Sequence, residues 1–464
     1  MFVTDRFDAA AYDCFIVGSG PAGISLALAL AKARKRVLVF ESGDADQPRS
    51  DLSNSIGYGH YAGEYWNGHW FRALGGTSAL WAGWCVTHRD IDLDNPVVGA
   101  RWPIARPALV PYWNAAAEIL DRDPEYLAFE KPFVPGFVYR PVPTGPATRF
   151  GSKYRSALEG RGGVDVALGR SVVGFEANDR RSHVTSVTYV DHQLGIRRPL
   201  TLAPGQSVVV AAGGMGNAQL LLQPREDGAV PVGNESGVVG QFLMEHPEFY
   251  LAGECVLEAE LDKYWPEANK STGMHTIVAD GPLSIQHGLY GCALQCMKKS
   301  PDHDLARFMS AESGRPYFHY DITAHAEMLP SPSNRVVLTP ERDRWGLHRP
   351  SAHCAIDARD FQNVERTLRV FGETLIRLRQ GRVRVNNDRI YRQAAGEGHT
   401  LGTTRMGDNP ASSVVDAECR VHGYDNFFVA GSSVFPSGGY ANPTLTIVAL
   451  AARLGDHLKR QVSD

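Results

Sequence analysis

His399 and Asn442 are of the residue types needed to take a proton from an alcohol and to hold its oxygen. His399 opens the run His399-Thr400-Leu401-Gly402-Thr403, and Asn442 lies in Gly439-Tyr440-Ala441-Asn442-Pro443-Thr444. Oxidising an alcohol to a carbonyl removes a proton from oxygen and a hydride from carbon. A neutral imidazole suits the proton, since an unperturbed histidine titrates near pH ~6.5. An amide does not titrate, but it can donate to the substrate oxygen and accept elsewhere. The hydride needs an acceptor that only a cofactor supplies, and the reacting carbon must be oriented toward it.

The place for that cofactor is legible at the other end of the chain. Tyr12-Asp13-Cys14-Phe15-Ile16-Val17 reads as a short buried strand, followed by Gly18-Ser19-Gly20-Pro21-Ala22-Gly23. Gly18 and Gly20 allow a tight turn and close backbone approach to a pyrophosphate, and Gly23 allows close helix–strand packing. Ile24 to Ala33 is expected to be helical, with its N-terminal N–H groups and dipole facing the phosphates. Arg36 to Phe40 is a second strand ending at Glu41. An acid there, about 20 residues past the glycines, should bind a ribose 2′-hydroxyl. It argues against NADP and leaves NAD and FAD open.

The elements between these ends must position both. At 464 residues, two domains are expected. A net charge of −4 excludes an electrostatic case for nucleic-acid binding. No segment approaches the ~18 apolar residues of a membrane span. Asp5, Arg6 and Asp8 in the first residues argue against a signal peptide, and seven sparse cysteines fit a reduced, cytoplasmic protein. Cys292 and Cys296 have no accompanying ligand motif, so neither a metal site nor a redox pair is expected.

After Glu41 an aromatic stretch (Tyr58, His60, Tyr61, Tyr65, Trp66, His69, Trp70, Phe71) leads into Gly75-Gly76-Thr77-Ser78-Ala79-Leu80-Trp81-Ala82. The stretch reads equally as a stacking lid or as a packed loop, whereas the paired glycines suggest backbone pressed against a ligand. Arg101 to Leu120 reads as a helix entered through prolines, and strands are expected in 163–178, 183–192 and 206–212. Ser207 to Ala212 runs into Gly213-Gly214 and a helix from Met215 to Gln223. From about Leu251 to Val385 short alternating strands, such as 319–323 and 334–338, predict an antiparallel sheet inserted into the first domain, with a helix over 361–379 beneath it. Pro443 to Leu458 reads as a helix led by proline. His319, His325 and Glu327 fall in the inserted sheet and read either as ligands for hydroxyl or amino groups or as exposed strand polarity. His246, before Pro247, favours a structural reading.

Taken in order, these motifs resemble the glucose–methanol–choline (GMC) family of FAD-dependent alcohol oxidases and dehydrogenases. The matching segments are Gly18-x-Gly20-x-x-Gly23, Gly75-Gly76-Thr77-Ser78, Ala211-Ala212-Gly213, Glu245-His246-Pro247, Asn334-Arg335-Val336, His399-x-x-Gly402-Thr403-x-x-Met406-Gly407 and Val414-Val415-Asp416. The Asn-Pro-Thr run and Gly431, where many relatives carry an acid, are closest to the pyranose-oxidase-like branch. The resemblance implies an α/β fold, with a Rossmann-like FAD domain (1–250 and 390–464, lid segment about 50–150) and an antiparallel substrate domain (251–389). It implies His399 as base and Asn442 as its partner. It also implies FAD contacts from Gly18 to Gly23, Glu41, Ser42, Gly75, Gly76, Ser78, Trp81, Ala82, Val172 (or Val173), Ala212, Gly213, Gly431, Ser432 and Asn442 to Thr444. Some relatives bind FAD covalently through a histidine where Leu80 stands, so non-covalent FAD is expected. The expected substrate is a small-molecule alcohol, a sugar, polyol or sugar-like natural product, with oxygen, a quinone or a protein as electron acceptor. Rival readings are a non-redox lyase with a structural flavin and an idle flavoprotein.

Overall fold

The computed structural model describes residues 1–3, 7–46, 55–160, 162–265, 273–299 and 303–461. Asp5, Arg6 and the first positions of the expected lid segment lie outside them. The apolar run Cys14–Val17 is the central strand of a five-stranded sheet ordered Phe427–Val429, Ser207–Val210, Cys14–Val17, Val37–Glu41, Val164–Leu168. Every pairing in it is parallel. Its central strands are buried at every position, which is why they read as unbroken apolar runs rather than alternating ones. Helix Pro21–Lys32 follows the first strand, with Gly20 at its N-cap and Pro21 at its first position. Helix Thr444–Gln461 packs against it, and helix Arg106–Ile119 against that. This is a Rossmann-like arrangement, and it brings residues 427–444 beside residues 14–23.

The second layer is a nine-stranded sheet. Its main path runs Gly381–Val385, Pro247–Leu257, Phe318–Ala326, Cys292–Lys298, Gly273–Ala279, Phe137–Tyr139, Lys131–Val134, and every pairing is antiparallel. The amphipathic helix Ala358–Leu378 lies under it. Asp357 caps the helix N-terminus by accepting from the Arg359 N–H, and Arg379 ends it in a left-handed conformation (φ 57°). Its buried Val364, Leu368, Phe371 and Leu375 join Phe137, Phe249, Ile322 and Leu294 in one apolar core. Each such side chain stabilises the layer by ~1.5–3 kcal/mol on burial.

Two elements sit elsewhere than the sequence suggests. The strand around 334–338, observed as Arg335–Arg342, is not part of the large sheet. It pairs with His348–Cys354, which in turn pairs with Ile56–Gly59 in a separate three-stranded sheet. Conversely, strands from 131 to 143, within the expected lid, join the large sheet. Local alternation identifies a strand but not its partner. Among the described residues, no helix is long and apolar enough to cross a membrane. All seven cysteines are free and buried.

Candidate active site

Between the two layers lies a cavity of about 720 Å³. Its walls come from both ends of the chain. One end is lined by Gly18, Ser19, Gly20, Pro21 and Ala22, with Glu41, Ser42, Gly76, Ser78, Trp81, Ala82 and Val172 around them. The C-terminal side adds Ala212, Gly213, Gly431, Ser432, Asn442, Pro443 and Thr444, together with His399. Of the expected cofactor contacts, Gly23 and Gly75 do not line the cavity. Both serve packing instead. A Cβ at Gly23 would sit 2.0 Å from the Gly18 carbonyl oxygen, and one at Gly75 would sit 2.3 Å from the Gly151 nitrogen. Of Val172 and Val173, only Val172 faces the cavity.

The donor set fits an anionic dinucleotide. The helices Pro21–Lys32, Gly213–Leu222 and Thr444–Gln461 all begin at the cavity wall, so three positive dipole ends face one space. Gly18 has φ +105°, and a Cβ there would lie 2.5 Å from the Ala211 carbonyl oxygen. At Gly20 a Cβ would meet nothing within 4 Å and would project into open space. Glu41 is 5% exposed. Its carboxylate accepts from the Ser19 N–H (3.0 Å) and hydroxyl (2.6 Å) and from the Gly43 N–H (2.7 Å). It thus braces the glycine turn with three of its roughly four acceptor positions. Ser78 is also a brace: its hydroxyl donates to the Gly75 carbonyl at 2.6 Å.

At the other end of the cavity, histidines form a chain. His246 Nε2 lies 3.0 Å from the Gly439 carbonyl oxygen, and His246 Nδ1 lies 2.9 Å from His399 Nδ1. A carbonyl only accepts, so His246 carries its proton on Nε2. Burial, followed by the neighbouring His325 and His399, pushes the pKa of His246 well below the usual histidine range, so the ring is neutral. Its Nδ1 is therefore a lone pair, and His399 must donate to it from Nδ1. That leaves His399 Nε2 unprotonated on a ring that lines the cavity. Burial, then His325 and His69, also hold the His399 pKa well below 6.5.

Two buried carboxylates fix this constellation, and neither role is legible as a local motif. Glu245, fully buried, accepts from the His399 backbone N–H at 2.7 Å, the His246 N–H at 2.8 Å and the Tyr65 hydroxyl at 2.7 Å. Burial pushes its pKa up to about 7. Glu327 accepts from the N–H groups of Gly438 (3.1 Å), Gly439 (2.9 Å) and Gly291 (3.1 Å). It is buried, with a pKa pushed up to about 8 mainly by that burial, and it clamps the loop leading to Asn442. It is thus neither an exposed strand residue nor a cavity ligand. His319 is also off the cavity, stacked on His303 with ring centroids 3.7 Å apart. His325 does line it, along with His69, Trp70 and Phe71 from the aromatic stretch. Of the rest of that stretch, Tyr61 and Trp66 are buried and Tyr65 is half-buried, whereas Tyr58 and His60 are exposed.

Comparison with known proteins agrees with this geometry. The sequence profile described as FAD dependent oxidoreductase matches residues 13–252, and that described as GMC oxidoreductase matches residues 330–451. The chain belongs to the GMC oxidoreductases. It is an FAD-dependent enzyme acting on CH–OH donors. It is 28% identical to paromamine 6′-oxidase of Streptomyces fradiae, over 97% of this chain and 91% of that protein. It is 24% identical to 2-methyl-1,2-propanediol dehydrogenase of Mycolicibacterium austroafricanum, over 97% and 96%. The fold is shared with the crystal structure of pyridoxine 4-oxidase from Mesorbium loti (TM-score 0.61, 18% identity, covering 96% of this chain and 99% of that one).

Proposed function

We propose that this GMC oxidoreductase converts a CH–OH group of a sugar-like or polyol substrate to a carbonyl, with His399 as general base and Asn442 orienting the oxygen. The observation that carries the reading is the His246–His399 contact, which leaves an unprotonated His399 Nε2 in the cavity that Asn442 also lines. Bound FAD would supply the hydride acceptor at its N5. His399 Nε2 takes the hydroxyl proton. As the ring becomes cationic, its Nδ1–H bond to His246 strengthens, because a charged donor is the stronger one. The Asn442 amide donates to the oxygen while negative charge develops on it. The helix beginning at Thr444 adds its positive end to the same region.

The glycine turn, Glu41, Ser42, Val172, Gly213, Gly431 and Ser432 are assigned to holding FAD. The holding is non-covalent, since Leu80 lines the cavity where some relatives carry the linking histidine. The parallel sheet with its C-terminal return is assigned as the FAD domain and the nine-stranded sheet as the substrate wall. The names of the two relatives, one specifying the 6′ position of paromamine and the other a propanediol, support an alcohol donor of this kind.

The test is an anaerobic absorbance titration of the purified holoenzyme with sugars, aminosugars, polyols and simple alcohols, repeated on His399→Ala. The expected result is bleaching of the oxidised flavin band by at least one class in the parent enzyme, and loss of that bleaching in the variant with flavin still bound. Carbonyl formation without any bleaching would instead identify a lyase.

A further inference from the structure

The substrate wall contains charge that the proton transfer does not use. Glu248 is buried at the start of strand Pro247–Leu257 and lines the cavity. Glu397, two residues before His399, lines it as well, and it follows strand Ala395–Gly396, which pairs antiparallel with Pro247–Glu248, so the two acids are neighbours. Tyr250, two residues further along the same strand, also lines the cavity. Directly across the sheet register from Glu248 stands His325, which is 3% exposed. Its Nε2 is buried without a hydrogen-bond partner, in the wall of the same cavity.

Permanent cations are at the far end. Among the described residues lining the cavity, the only arginines or lysines are Arg72 and Arg170. Arg72 acts on Glu41, and Arg170 pairs with Asp191 at 2.9 Å. The titratable groups around Glu397 are Glu245 and Glu248, with Tyr61 and Tyr250 also within its field. His69 and His325 line the same space, next to His399. Both histidines of the catalytic pair are held neutral. Among the described residues lining the cavity, no arginine or lysine therefore stands beside the pair Glu248–Glu397.

We propose that this wall recognises an alcohol bearing a protonated amine, an aminosugar or amino polyol, whose ammonium group sits on Glu248 and Glu397. This rests on the alcohol-oxidation reading above and specifies its substrate class. Adjacent carboxylates repel each other, so without a ligand a proton stays at the pair, on Glu397. Burial, and then the Glu248 carboxyl beside it, keep the Glu397 carboxyl well above the usual carboxylate range. An ammonium group offers three N–H donors and one positive charge. It replaces that proton, both carboxylates ionise, and one proton leaves to solvent. The unpaired His325 Nε2 then bonds a polar group of the same ligand. A neutral hydroxyl at that place leaves the Glu397 proton where it is and gains only an uncharged bond, the weaker kind.

The test uses the holoenzyme under anaerobic conditions at pH 6.5. The probes are glucosamine against glucose and N-acetylglucosamine, and 3-amino-1,2-propanediol against glycerol. The expected result is flavin bleaching by the amine of at least one set, with an apparent second-order rate roughly 10²-fold above its neutral partners. Calorimetry of amine binding in phosphate and MES buffers should show one proton released per ligand. In Glu397→Gln an amide N–H replaces that proton, so the fold is kept and the proton release disappears. In the double variant Glu248→Gln/Glu397→Gln the amine preference should fall below tenfold. Neutral partners that bleach the flavin as fast as amines, or amine binding without proton release, would overturn the amine assignment and leave alcohol oxidation standing. Bleaching by none of the probes, or by any alcohol tried, would remove both.

Discussion

The two walls of the cavity are built by opposite means. The wall assigned to the cofactor is mostly backbone: a glycine turn, three helix N-termini and a carboxylate, Glu41, spent on bracing the turn. The wall assigned to chemistry is mostly side chains. His399, Glu248 and Glu397 line it, and His246, Glu245 and Glu327 brace it from behind through groups distant in sequence, as in the Glu245 bonds to Tyr65 and His399, which span 180 and 154 residues. A backbone wall binds what every member of a cofactor class shares. A side-chain wall can be retuned one residue at a time, which suits substrate choice.

This contrast can be broken or sharpened by variants on each side. The largest effect is expected at the turn. Gly18→Val forces a bulky residue to φ +105° and its Cβ to 2.5 Å from the Ala211 carbonyl oxygen, so the purified protein should lack the flavin absorbance band. If that band persists, the turn is not the cofactor wall. On the other side, His399→Ala should slow flavin reduction ~10²–10⁴-fold, the usual worth of a general base, while the flavin-to-protein ratio stays at the parent value. Loss of flavin in this variant would merge the two walls.

Glu327→Gln should have a smaller effect than either. A glutamine can accept from the N–H groups of Gly438 and Gly439, but its NH₂ then faces the Gly291 N–H. An unsatisfied buried donor costs ~1–3 kcal/mol, and a displaced Asn442 loop should slow flavin reduction ~10- to 100-fold. The check is a lower Tm together with stopped-flow reduction. An unchanged rate with a lower Tm would confine Glu327 to stability.

The smallest effect is a pH dependence that hardly shows near neutrality. Burial lowers the His399 pKa, and protonation would remove the lone pair that works as base. The limiting rate of flavin reduction at saturating alcohol should therefore stay flat as pH falls from 8 to 6.5 and decline only below that. A decline centred at or above pH 6.5 would mean a solvated imidazole rather than a buried one.

The backbone wall was legible in the sequence because its determinants are contiguous. Gly18, Gly20, Pro21 and the strand before them specify a strand–turn–helix by their own conformational limits, and Glu41 follows at the end of the next strand. His399 and Asn442 were legible through their glycine-rich settings. The clamps were not. Glu327 follows strand Phe318–Ala326, and alternation alone allows it to face solvent. It is buried because the 438–439 loop folds over it, and that is a long-range fact. Glu397 offered a weak local signal, an acid between two glycines just before the base. Glu248 offered another, standing in alternation with His246 and Tyr250. Neither says that the two meet. The Asn334 strand was assigned to the wrong sheet for the same reason, since its pairing through His348–Cys354 to Ile56–Gly59 depends on chain far away.

The placing of the glycine turn against residues 427–444 also bears on how the protein is made. During synthesis the turn emerges first, yet the edge strand Phe427–Val429 and the Asn442–Thr444 corner that close the cavity follow some four hundred codons later. A chain ending before residue 427 lacks that edge strand and the Asn442–Thr444 lining, so a purified truncation is expected to carry less flavin absorbance than the full chain and to gain less stability from the ligand.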